Sequence, residues 1–72
     1  KGATALMLAA GGGYRNIVTL LLSRGASVNL QNGTGATALM FAARGGYRNI
    51  VTLLLSRGAS VNLQNGTGAT AM

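Results

Sequence analysis

The 72 residues include 12 glycines and six basic side chains but no Asp, Glu, His or Cys, which excludes several functions at once. The common metal ligands and the common general acids and bases are missing, and Tyr14, Tyr47, Lys1 and five arginines do not replace them; neither an enzyme nor a cofactor is expected. The longest apolar runs, 5–10 and 38–43, are six residues each, against the ~18 that a membrane-spanning helix needs.

In chain order, residues 4–10 read as a short helix that stops at glycines 11–13. A second helix is predicted over 15–24, with Gly25 as its left-handed stop. An extended arm follows over 27–31, and Asn32-Gly33 marks a tight turn. The programme then restarts. Residues 37–44 read as a helix with Thr37 as N-cap, Leu39, Ala42 and Ala43 on one stripe and Gly45-Gly46 as the break. Residues 48–57 are apolar around most of their circumference, which predicts a helix buried on several sides. Gly58 stops it, and an arm with a turn at Asn65-Gly66 runs over 59–68. Helices joined by so short a turn are expected to lie antiparallel as a hairpin.

The restart is nearly exact. Shifted by 33 positions, residues 1–39 fall onto 34–72 and differ at only four of 39 places: Lys1/Thr34, Leu8/Phe41, Gly11/Arg44 and Leu39/Met72. A fixed period of this length is the signature of a repeat array. The chain divides into a partial repeat over 1–31, a complete one over 32–64 and the start of a third over 65–72. The apolar stretch after Lys1 belongs to this repeat rather than to a leader, since residues 6–10 recur almost unchanged at 39–43. Two periods and a remainder lie near the lower limit for a chain that must bury a core unaided.

The residues Gly35-x-Thr37-Ala38-Leu39-Met40, Ala42-Ala43, Gly46, Ile50-Val51, Leu53-Leu54-Leu55 and Gly58-Ala59-Ser60-Val61-Asn62 resemble the ankyrin repeat. Ala38 stands where that pattern has Pro, Met40 and Tyr47 where it has His, and Ser60 where it has Asp; Ala5, Met7, Tyr14 and Ser27 repeat the departures. The resemblance implies an all-α repeat solenoid of helix–turn–helix units joined by extended β-turn arms. It also implies a non-catalytic scaffold that binds proteins through its turn tips and first helices. Met40 would fill space where the family's histidine forms hydrogen bonds between repeats.

Carried over by position, the candidate partner surface is Arg24, Gln31, Gly33, Thr34, Ala36, Arg44, Gly45, Tyr47, Arg57 and Gln64, with Lys1, Ala3, Gly11 and Gly12 as first-copy counterparts. Repeat stacking falls to Leu6, Met7, Ile17, Leu21, Leu39, Met40, Phe41, Ile50 and Leu54. The net charge of +6 raises nucleic acid as a partner, but the arginines are few and no aromatic residues interleave with them. The expected partner is a protein, foremost further copies of the same repeat. Near-identical repeats, and a chain whose residues 68–72 re-enter the register of residues 2–6, favour a segment of a longer stacked, filament-like array. The competing expectation is a finite ankyrin-type module for protein–protein interaction.

Overall fold

The computed structural model describes residues 2–61, with side chains over 5–61. Four helices follow one another, α1 (Gly2–Gly12), α2 (Arg15–Ser23), α3 (Ala38–Gly45) and α4 (Arg48–Ser56), and the described residues contain no strand. This is the helix–turn–helix repeat that the sequence predicts.

The glycine breaks are narrower than expected. Gly11, Gly12 and Gly45 remain helical, and only Gly13 and Gly46 leave the helix, at φ 81° and 75°. One left-handed residue suffices to reverse the chain, because the Tyr14 N–H then donates to Ala9 O (2.9 Å) and the Tyr47 N–H to Ala42 O (3.0 Å), satisfying carbonyls that the helix end leaves open. The second helices close in the same way one turn past their apolar run. Gly25 and Gly58 adopt φ 89° and 90°, and the N–H groups of Ala26 and Ala59 donate back to Leu21 O (3.1 Å) and Leu54 O (3.0 Å). Arg24 and Arg57 are therefore C-caps rather than helical residues.

The two first helices start differently although their sequences match. Thr37 is extended (φ −114°, ψ 168°) and its side chain caps α3 by accepting from the Met40 N–H, whereas its counterpart Thr4 lies inside α1. The difference is set by the residues ahead of Thr37. Gly35 N donates to Asn32 O and Asn32 N to Ala36 O, both at 2.9 Å. This closes a β-turn with Gly33-Thr34 at its centre, one residue on from the expected Asn32-Gly33, and holds residues 35–37 out of the helix. The arm before it is less extended than predicted, because Leu30 N turns back to Ser27 O.

α1 packs most extensively on α3, each first helix packs on its own second helix, and α2 meets α4 over a smaller area. The shared core is Leu6, Met7, Ala9, Ala10, Val18, Ala38, Leu39, Ala42, Ile50 and Leu54. Ala9, Ala10 and Ala42 let the first helices approach closely. Burying each Leu or Ile of this set contributes about 1.5–3 kcal/mol, which turns two short hairpins into one folded body.

Candidate functional site

The near-identity of the copies makes the structure its own control: where equivalent residues differ in burial, the cause is position in the stack. Ile50 of α4 is 2% exposed, while Ile17, the same residue in α2, is 48% exposed. Leu53 is half-buried against the core and Leu20 is 52% exposed. Phe41 packs on the core, whereas Leu8 is exposed. The residues 8, 17 and 20 therefore form a face that looks away from the second repeat. At the other end the order reverses. Ala10 and Val18 are fully buried, while Ala43 is exposed and Val51 only half-buried. Leu22 is half-buried and Leu55 is 44% exposed.

One expectation, at Ala36, is corrected by this geometry, and a second residue, Ile17, is left uncovered by the described repeats. Ile17, grouped with the stacking residues, is open to solvent because no repeat covers its side of α2 among the described residues. Ala36, grouped with the partner surface, is buried, because its N–H and carbonyl both bond to Asn32 and draw it under the turn. Of the remaining stacking set, Leu6, Met7, Leu39, Met40, Ile50 and Leu54 are buried, and Leu21 and Phe41 are half-buried against them.

The exposed candidates fall into three groups. Gln31, Gly33 and Thr34 come together on the turn tip, where Gln31 Nε2 donates to Gly35 O (2.8 Å) and the Thr34 hydroxyl to Asn32 Oδ1 (2.8 Å). Arg44, Gly45 and Tyr47 lie at the end of α3. The Arg44 guanidinium stands 6.0 Å from the Phe41 ring centroid, within reach of a cation–π attraction. The Tyr47 ring lies over Gly45 and over Gly13 of the preceding repeat, where an added Cβ would fall 2.5 Å and 2.7 Å from ring atoms. Arg24 and Arg57 are exposed at the far ends of α2 and α4, roughly 13 Å along the helix axis from the Tyr14 and Tyr47 turns. Gln64 and Lys1 lie outside the described residues. Gly11 is half-buried and Gly12 exposed, and Ala3 lies within α1.

Two features escaped sequence reasoning. A shallow groove of about 550 Å³ runs between α2 and α4, lined by Arg15, Arg48, Asn49, Thr52, Leu53 and Ser56. Its two arginines are 33 residues apart, and that spacing alone places them side by side in a stacked repeat. The second is Asn29, which spans two repeats: its Nδ2 donates to Gly58 O (3.1 Å) and its Oδ1 accepts from the Ser60 N–H (2.7 Å). No group of His, Cys, Asp or Glu capable of holding a metal occurs among the described residues, and no helix there is long and apolar enough to cross a membrane.

A family model described as ankyrin repeats, in three copies, matches residues 1–65. The chain belongs to the ankyrin-repeat family. No curated protein matches it. Ankyrin repeats are typically non-enzymatic and serve as scaffolds for protein–protein interaction. That role accords with a surface whose exposed residues sit on the turn tips, the ends of the ankyrin helices and the two end faces.

Proposed function

We propose that this ankyrin scaffold binds further copies of its own repeat, head to tail, as the building block of a structural, filament-like array. The observation that carries this is the pairing of the end faces. The apolar face of Leu8, Ile17 and Leu20 is the positional equivalent of Phe41, Ile50 and Leu53, which pack onto the first repeat. The opposite face of Ala43, Val51 and Leu55 is the equivalent of Ala10, Val18 and Leu22, which receive the second. Each free face thus carries one half of an interface that the molecule already makes inside itself. A contact of this kind is heterologous and propagates as an open helix unless its rotation closes.

Sedimentation and light scattering of the full chain over a concentration series test the proposal. The mass should rise with concentration, and Ile17→Lys or Leu20→Lys, both at exposed positions, should abolish the rise while leaving the helical signal intact. A chain that remains monomeric up to its solubility limit overturns it. The groove flanked by Arg15 and Arg48 supports a second reading, a finite module that takes an acidic protein segment. In that case Arg15→Ala and Arg48→Ala would abolish binding of an acidic peptide while the end-face variants left it unchanged.

A further inference from the structure

Among the glycines that lie outside helices in the described residues, only Gly33 takes no positive φ, and nothing stands within 4 Å of the position its Cβ would occupy. The conformation and packing of the turn therefore do not require a glycine there. What the missing side chain does is leave the Gly33 nitrogen open beside Asn32. That N–H makes no hydrogen bond within the described residues, and Gly33 is exposed. The Asn32 amide next to it is polarised: the Thr34 N–H (2.9 Å), the Thr34 hydroxyl (2.8 Å) and the Ala36 N–H (3.0 Å) converge on its Oδ1. Such donors draw electrons from Cγ, and they stabilise negative charge as it develops on the same oxygen. No other described asparagine combines these features. Asn16 and Asn49 lie in the first turns of α2 and α4, each followed by an isoleucine. Asn29 is followed by Leu30, and its Nδ2 is tied to Gly58 O.

We propose that Asn32 is a site of intramolecular modification, at which this chain makes an acidic side chain that its sequence does not encode. The Gly33 nitrogen gives its proton to solvent base and bonds to Asn32 Cγ; the Cγ–Nδ2 bond breaks, and Nδ2 leaves as ammonia. The cyclic succinimide so formed takes up water. Opening at Cγ restores the ordinary peptide bond and leaves an aspartyl side chain, whereas opening at the backbone carbonyl leaves an isoaspartyl linkage. Net, one water is consumed and one ammonia released, with no oxidant or reductant. The fold distinguishes the two products. An aspartyl carboxylate at this position accepts the same three bonds, more strongly than the amide does. An isoaspartyl linkage instead lengthens the backbone by a methylene inside a turn that is closed by bonds from Asn32 N to Ala36 O and from Gly35 N to Asn32 O. The folded turn therefore favours the aspartyl product, and the net charge of +6 falls by one.

Incubation of the full chain at neutral to mildly alkaline pH, with its helical signal monitored throughout, tests this. Cleavage after arginine gives fragments 16–24, 25–44 and 49–57, and fragmentation in the mass spectrometer then assigns each asparagine separately. Fragment 25–44 should gain one mass unit, at residue 32, on the order of tenfold faster than Asn16, Asn29 or Asn49 converts, a barrier difference of about 1.4 kcal/mol. Gly33→Ala, at a position with open space and an ordinary φ, should melt at the parent's temperature and slow the conversion by a similar factor. The aspartyl share of the product should exceed that formed when the excised fragment 25–44 is incubated alone under the same conditions. An Asn32 that persists in the folded chain overturns the proposal, whether or not the excised fragment converts. Conversion that is equally fast in Gly33→Ala overturns attack by the Gly33 nitrogen. An aspartyl share no higher than the fragment's overturns the selection of product by the turn.

Discussion

Besides its two backbone bonds, Asn32 holds the arm together through one side-chain atom. Its Oδ1 accepts from the Thr34 N–H (2.9 Å), the Thr34 hydroxyl (2.8 Å) and the Ala36 N–H (3.0 Å). Asn32→Ala should cost about 1–3 kcal/mol in denaturant unfolding, the usual penalty for a partly buried donor left without its acceptor. Asn32→Asp should preserve or raise stability, since a carboxylate accepts the same three bonds more strongly. Glycines 13 and 25 give a second contrast at this scale. Both adopt left-handed φ, so an alanine at either should cost about 1–2 kcal/mol. Only at Gly13 would the new Cβ also collide with the Tyr47 ring, whereas nothing lies within 4 Å of the Cβ position at Gly25. Gly13→Ala should therefore lower the melting temperature further than Gly25→Ala, and equal losses would show that the ring swings aside freely.

At the scale of elements, the hairpins are joined by more than apolar packing. Asn29, in the arm after α2, clasps the backbone just beyond α4 with one donor and one acceptor. This sets it apart from Asn32, whose side chain is used as an acceptor. Asn29→Asp should keep the bond from Ser60 but bring a carboxylate oxygen up to the carbonyl of Gly58. It should therefore destabilise the fold by about 1–3 kcal/mol, in opposite direction to Asn32→Asp. Equal behaviour of the two variants in parallel denaturation curves would show that the clasp contributes little to holding the repeats in register. Helices α1 and α3 make the same point about context: the same threonine is a cap in one copy and a helical residue in the other, depending on whether a bonded turn stands ahead of it.

At the scale of the whole molecule, charge and shape act in opposite senses. A net charge of +6 with no acidic residue makes copies repel, while the apolar end faces favour contact. Raising ionic strength from ~0.02 M to ~0.5 M shortens the screening length from roughly 20 Å to roughly 4 Å. Self-association measured by light scattering should therefore strengthen with salt. Binding of an acidic partner in the groove beside Arg15 and Arg48 should weaken over the same range, so one titration separates the two readings.

Much of this architecture was legible in the residues themselves because it is local and repeated. The 33-residue period, the left-handed stops at Gly25 and Gly58, the cap at Thr37 and the turn after Gln31 depend on backbone preferences that a few neighbouring side chains settle. Burial was not legible in the same way. Ile17 and Ile50 sit in identical stretches, RNIVTLLLS, and no local rule separates them; only the repeat lying against α4 decides that one is core and the other surface. Ala36 reads as a surface position until Asn32 is seen to draw it inward, and Asn29 reads as a polar arm residue until the next hairpin brings Gly58 and Ser60 within its reach. The groove between Arg15 and Arg48 likewise exists only because stacking turns a separation of 33 residues into adjacency. Sequence by itself determined the unit and its period, since those are set by short-range sterics and hydrogen bonding. Which copies of each residue are covered, and hence which faces remain to bind, was decided only by tertiary packing, since solvent exclusion depends on what lies against a side chain and not on which side chain it is.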